Sequence, residues 1–349
     1  MAGFAIVGSN DTQEELMDRP ITRRTVIAGA GAGVVSGLVT NAHAEAKPEI
    51  QASEFWANKG SVKLYLYRKR VAPKAGETQP VLFLVHGSSN SARTSYDLTV
   101  PGKGEYSAMN VLAGLGFDVW TMDHDGYGHS GSSGNSSDIA SGVEDLKAAM
   151  PVVSQETGRQ KIHMYGTSSG AIRAGAYAQA EPQRIDRLVL SAFTYKGTGS
   201  PEIARRKAVA EERYRNKPRR LRDAAMIRSI FTRDGLPSAY DPAVAEALAA
   251  EELKFGDQVP TGTYLDMAVN LPLVDPTKVL SPVLMVRGSH DGNSTNEDLL
   301  DFYAQLPNGD RQFIILPHTA HSLGYGNNRH LLWYAVRNFL NAPPAIPAA

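Results

Sequence analysis

The chain has 349 residues, with 36 Lys and Arg balanced by 36 Asp and Glu for a formal net charge of +0. Nothing in that total asks for nucleic acid or an anionic membrane as a partner. Hydrophobic residues at 42% and charged residues at 21% suit one large α/β domain with an insertion, and the absence of cysteine excludes disulfides, thiolate metal sites and a cysteine nucleophile.

The N-terminal residues 1–44 read as an export signal. Arg23-Arg24 stands before a Gly/Ala/Val run reaching about Val39, and the small-residue site Ala42-His43-Ala44 follows. This is the layout of a twin-arginine signal peptide, whose partner is the twin-arginine export machinery. The run is too short and too rich in Gly to serve as a stable membrane anchor. Cleavage after Ala44 would leave Glu45 at the mature N-terminus of a periplasmic or secreted protein. Met17 is an alternative start, and the segment before about Ser53 is expected to be a loose lead-in.

From Val62 the chain alternates strand-like and helix-like segments. Val62–Tyr67 alternates as an edge strand should, and Val71–Gln79 is a polar turn. Pro80–Val85 is the continuous apolar run of a central parallel strand buried on both faces, and it ends in His86-Gly87-Ser88-Ser89. A helix over about Ala108–Leu115, a strand over Phe117–Met122, the loop Asp123–Ser130 and a helix over about Ile139–Glu156 follow. Ile162–Tyr165, Ile185–Ser191, Pro282–Arg287 and Arg311–Leu316 read as further strands, and Arg329–Leu340 as the last helix. This order predicts a mostly parallel sheet covered on both sides.

The organising stretch is Gly166-Thr167-Ser168-Ser169-Gly170, a G-x-S-x-G pattern between the strand at Ile162 and an Ala-rich helix over Ala171–Ala180. A serine there must sit on a very tight turn. Glycines at 166 and 170 remove the Cβ atoms that would clash, Ser168 Oγ stands at the C-terminal edge of the sheet, and the Ser169 amide faces a developing oxyanion.

Three features together resemble the α/β-hydrolase superfamily, and within it the lysophospholipase and monoacylglycerol-lipase-like esterases. They are the HG turn at His86-Gly87, the D-x-x-G-x-G-x-S loop from Asp123 to Ser130, and the elbow around Ser168. The resemblance covers most of Val62 to Leu340. It implies an oxyanion amide from Ser88, with His86 bracing that loop rather than performing chemistry. One departure is Asp125, where many relatives carry arginine; this bears on how the loop is tied down, not on the triad.

Chain order in this fold runs serine, acid, histidine. Asp291 follows the strand Pro282–Arg287 on a Gly-flanked turn, whereas no Asp or Glu lies between Leu188 and Ser200. Asp291 is therefore the expected acid. Two histidines follow the last strand. His321, preceded by Ala320, is favoured over His318, which is left as a rim or substrate-contacting residue. No metal-ligand spacing accompanies the other histidines, and neither a metal nor a cofactor is expected.

The expected organisation is a hydrolase core over 53–193 and 281–340, a cap over 194–280 and a disordered tail over 341–349. Residues 201–234 hold eleven Lys and Arg against five Asp and Glu. They read as a water-facing helical lid or, more sharply, as a basic rim drawing anionic substrates. Tyr264, Met267 and Leu271 read equally as pocket lining or cap core. The function expected is hydrolysis of a small-molecule carboxylic ester by Ser168, His321 and Asp291 through an acyl-enzyme, with oxyanion amides from Ser88 and Ser169. Cleavage of a β-diketone C–C bond or a lactone is the alternative, and a non-catalytic binding protein the second. Serine at the elbow disfavours dehalogenase and epoxide-hydrolase chemistry, which uses aspartate there.

Overall fold

The computed structural model describes residues 49–343 apart from residue 75. The expected signal over 1–44 and residues 344–349 of the expected tail lie outside the described residues. In chain order the strands are β1 Ile50–Lys59, β2 Val62–Val71, β3 Val81–Val85, β4 Asp118–Met122, β5 Ile162–Thr167, β6 Ile185–Ser191, β7 Arg219–Leu221, β8 Gln258–Pro260, β9 Val283–Gly288 and β10 Arg311–Leu316. Eight of them form one sheet in the order β1-β2-β4-β3-β5-β6-β9-β10. The β1/β2 and β2/β4 pairs are antiparallel, and every pair from β4 to β10 is parallel. This is the α/β-hydrolase fold.

Alternation along the central strands divides the core into two layers, because successive side chains leave opposite faces of a strand. Phe83 and Val85 join Val283 and Met285 in a layer with the helices Ile139–Thr157, Ser169–Ala180 and Asn296–Gln305. Leu82 and Leu84 join Leu284 and Val286 in the other layer, against Ala108–Gly114 and Arg329–Leu340. Burial on both sides explains why these strands read as unbroken apolar runs. Among the described residues no helix is long and apolar enough to cross a membrane.

One expectation fails here. The chain before Ser53 is not a loose lead-in: β1 pairs with β2 over its whole length, from Ile50 opposite Val71 to Lys59 opposite Val62. Residues 51–54 are all exposed, so β1 is an outer strand without the one-sided alternation that would reveal it. The segment 194–280 is largely helical, with one addition. It carries the helices Pro201–Ala208, Ala210–Arg213, Ala224–Ser229, Pro242–Glu252 and Gly262–Val269, but also an antiparallel β7/β8 pair. Three-residue strands are too short to leave a period in the sequence.

The charges of this segment are not all at the water face. Arg206 lies buried on Glu202 (2.9 Å), and Arg222 is ion-paired with the fully buried Glu252. Their partners are distant in sequence or one helical turn away, so charge counting alone could not tell them from solvated residues.

Candidate active site

The elbow follows from steric exclusion. Ser168 has φ 56° and ψ −128°, a strained conformation for a residue with a side chain. It closes β5 and opens the helix Ser169–Ala180, while its amide donates to Ser191 O at 2.9 Å. A Cβ on Gly166 would overlap the backbone of Gly170 and Ala171, and one on Gly170 the carbonyls of Val85 and His86. The two glycines thus let this helix come close to the ends of β3 and β5 without a side-chain clash.

The structure brings Ser168, His321 and Asp291 together at the sheet edge. Ser168 Oγ lies 2.9 Å from His321 Nε2, and His321 Nδ1 lies 2.8 Å from Asp291 Oδ1. Asp291 stands just past β9 and His321 five residues past β10, so two adjacent parallel strands deliver both partners. Burial works to raise the Asp291 carboxyl, but the His321 ring and the Asn293 amide (2.8 Å) outweigh it and hold Asp291 below the usual carboxylate range. Asp291 is therefore ionised and takes the Nδ1 proton as a hydrogen bond, which leaves the Nε2 lone pair facing the serine hydroxyl. Such an arrangement can withdraw the serine proton during attack on a carbonyl.

His318 does not share this site. It is exposed, has φ 48°, and its Nε2 lies 3.3 Å from Ser238 Oγ on the cap. It is not among the residues lining the Ser168 cavity, so the rim role expected for it is not supported by its position.

The direction of the Ser88 amide, the expected oxyanion donor, is set by one peptide plane. His86 is fully buried, and burial, with His124 and Arg173 nearby, holds its ring well below the ordinary histidine range. The neutral ring accepts the His124 amide at Nε2 (3.1 Å), so Nδ1–H donates to Gly87 O at 2.8 Å. The Gly87 carbonyl and the Ser88 amide belong to the same trans peptide, so fixing the carbonyl toward His86 turns the Ser88 N–H the other way. Tyr127 donates to the Ser88 carbonyl at 2.8 Å, and the Ser88 and Ser169 hydroxyls bond each other at 2.7 Å. Among the described residues neither the Ser88 nor the Ser169 amide donates to a protein group. Both remain available to a bound oxygen.

Behind this loop, Asp125 answers the question its residue type raised. It is buried, accepts the Ser133 amide at 2.9 Å and pairs with Lys59 at 3.1 Å. Lys59, from the end of β1, also pairs with Asp145, which accepts from His124 Nδ1 at 3.0 Å. The strand missed in the sequence thus supplies the cation for two buried carboxylates.

A cavity of about 80 Å³ opens on Ser168 and His321, lined by Tyr96, Tyr165, Tyr325 and Trp333 among others. The Tyr96 and Tyr325 hydroxyls donate to Val85 O (2.6 Å) and Thr94 O (2.8 Å), so both are satisfied by backbone carbonyls. Three residues that sequence reasoning missed meet here. Arg233 reaches from the cap into the lining, Asp234 Oδ2 accepts the His321 amide at 2.9 Å, and Asn293 Nδ2 lies 3.3 Å from His321 Nε2. The cap residues gave no signal because their partners lie about ninety positions away; Asn293 sits two residues past the acid but carries no motif. Tyr264, Met267 and Leu271 are absent from the lining: Tyr264 bonds Ser89 Oγ at 2.7 Å, and Met267 packs in the core. Among the described residues no group of three or more His, Cys, Asp or Glu is arranged to hold a metal ion.

Comparison with known proteins agrees with this architecture. Over 129 residues the chain is 30% identical to a 2-hydroxy-6-oxononadienedioate/2-hydroxy-6-oxononatrienedioate hydrolase of Paraburkholderia phymatum, covering 36% of this chain. The match spans only 39% of that relative's length. The fold superposes on the enol-lactonase of Burkholderia xenovorans LB400 with a TM-score of 0.61 at 16% identity, covering 82% of this chain and 100% of that one. It also superposes on the 2-hydroxy-6-oxo-6-phenylhexa-2,4-dienoate hydrolase of Rhodococcus sp. strain RHA1, with a TM-score of 0.58 at 16% identity, covering 84% of this chain and 100% of that one. The family described as serine aminopeptidase, S33, matches residues 76–326. The chain therefore belongs to that family of α/β-hydrolases.

Proposed function

We propose that the protein hydrolyses a small carboxylic ester through a Ser168–His321–Asp291 triad and an acyl-enzyme. The observation that carries the reading is the unbroken hydrogen-bonded path from Ser168 Oγ through His321 to Asp291. His321 takes the serine proton as Oγ attacks the ester carbonyl, and Asp291 stabilises the resulting imidazolium. The Ser88 and Ser169 amides receive the oxyanion, a contribution of about 3–4 kcal/mol for a donor of this kind. His321 then gives the proton to the leaving alkoxide, and water repeats the sequence on the acyl-enzyme.

The cavity bears on the substrate. Its volume of about 80 Å³ is well under the roughly 300–1,000 Å³ typical of drug-sized ligands. This favours a short acyl group over the long chains of lysophospholipase-like relatives. With p-nitrophenyl esters of increasing acyl length, kcat/KM peaks at short chains and falls for long ones. A rise toward long chains would overturn this substrate assignment.

A second reading rests on Arg233, which lines the cavity while its Nη1 lies 4.0 Å from Glu202; among the described residues its Nε is buried without a protein partner. A cation there suits a substrate bearing a carboxylate, as does the similarity to a dienedioate hydrolase. C–C bond cleavage or lactone opening by the same triad is the reaction to assay beside esters. We further propose that the enzyme is exported by its Arg23-Arg24 signal and works outside the cytoplasm; replacing both arginines by lysine should retain it inside the cell.

A further inference from the structure

Asn293 is fully buried, and its backbone is tied at both ends. Its amide donates to Asp291 Oδ1 at 2.8 Å, and its carbonyl accepts from Thr194 Oγ1 at 3.1 Å. The side chain is thereby held against the reacting atom of the histidine, with Nδ2 at 3.3 Å from His321 Nε2. Ser168 Oγ approaches the same nitrogen at 2.9 Å. Among the described residues the other end of the amide, Oδ1, is buried with no protein hydrogen-bond partner. A buried amide oxygen without a partner is costly and calls for a reason.

The two ends of this amide match the two protonation states of Nε2. Neutral His321 offers one lone pair there, which Nδ2–H at 3.3 Å shares with the closer Ser168 hydroxyl at 2.9 Å. The imidazolium offers an N–H, which Nδ2–H opposes and Oδ1 can accept. We propose that Asn293 is a further catalytic residue, whose carboxamide turns to place Oδ1 on the Nε2–H of His321 while that ring carries the serine proton. This rests on the triad reading above. During acylation the Oγ–H bond breaks and the Nε2–H bond forms; when the alkoxide leaves, Nε2–H breaks and the alcohol O–H forms. Asn293 neither gains nor loses a proton. It accepts a hydrogen bond from a charged donor in the intermediate and releases it when the proton moves on. Because Oδ1 meets the ring only in its charged state, where it accepts the stronger, charge-assisted hydrogen bond, the effect falls on kcat rather than on substrate binding.

Asn293→Leu and Asn293→Asp test this, with fluorophosphonate labelling of the parent as the control for the triad itself. Leucine keeps the branched shape and removes both polar ends. It should lower kcat about ten- to hundred-fold, the range for one hydrogen bond to a charged group, with KM within two-fold and an unchanged melting temperature. Aspartate can accept from the imidazolium but also holds it protonated at rest. It should displace the acid limb of the kcat/KM profile upward by about one pH unit or more and regain activity above that limb. A role in packing alone would leave the leucine variant at parental kcat, and that result overturns the proposal. Should leucine not fold, an aspartate variant with an unmoved acid limb overturns it equally. A parent enzyme that takes no label would instead remove the triad, and this inference with it.

Discussion

At the sheet edge the position of Ser168 is enforced by backbone: β5, the helix Ser169–Ala180 and the end of β3 approach so closely that no Cβ fits at positions 166 or 170. In the cap, the corresponding work is done by buried charge. Glu252 accepts from Arg222, Thr94 Oγ1 and the Ser91 amide and hydroxyl, while Arg222 also donates to Ser89 O at 3.1 Å. That pair fastens the cap to the chain just after Ser88. The first arrangement depends on shape and is indifferent to pH and salt. The second depends on ionisation, and burial pushes the Glu252 carboxyl up even with Arg222, Thr94 and Ser91 drawing it down. A folded-state rise means that ionising Glu252 at neutral pH works against stability, so the pair specifies where the cap sits more than it stabilises the fold.

The largest effect should come from the triad that the shape-defined elbow presents. Asp291→Asn leaves the elbow and the fold intact but removes the charge that sets the His321 tautomer. Turnover of a short-chain ester should fall by about 10⁴-fold, the scale seen when such a carboxylate is neutralised, with little change in melting temperature. Steady-state kinetics beside thermal unfolding check this; turnover within a few-fold of the parent would move the acid elsewhere.

The cap responds in the opposite manner. Glu252→Ala strands Arg222 as an uncompensated buried cation and should destabilise the protein by about 3–5 kcal/mol, measured by denaturant unfolding. Replacing both members, Glu252→Leu with Arg222→Met, should cost less than the single change, because no orphan charge remains. If the double variant is the worse of the two, the pair contributes net stability and the contrast drawn above fails.

Much of the sheet edge was legible in the sequence because its signals are local. The elbow is five residues, and the double burial of β3 and β9 is written as apolar runs. The cap and β1 were not. The meaning of Arg222 or Arg206 depends on Glu252 and Glu202, and that of Arg233 and Asp234 on a cavity and a histidine amide formed by distant segments. A charged residue reads the same in sequence whether it faces water or a buried partner. β1 escaped because an outer strand with exposed residues carries no alternation, although its last residue, Lys59, serves the loop behind the site.

A smaller effect sharpens the same contrast through pH. Burial works to raise the Glu202 carboxyl, but Arg205, Arg206 and Arg233 pull it down to about 2 from an ordinary 4.5. Since the folded value is depressed, Glu202 contributes stability above about pH 4.5, and that contribution is lost as pH falls toward 2. Glu202→Gln should flatten this part of the melting-temperature profile between those limits. An unaltered acid slope would show that other carboxylates govern it.

The central claim is that His321 activates Ser168. Reaction with a fluorophosphonate, followed by intact mass and peptide mapping, tests it most directly. The account predicts one adduct per chain on Ser168, abolished in His321→Ala and retained at the parental rate in His318→Ala. Labelling of His321→Ala at the parental rate, with His318→Ala silent, would contradict it.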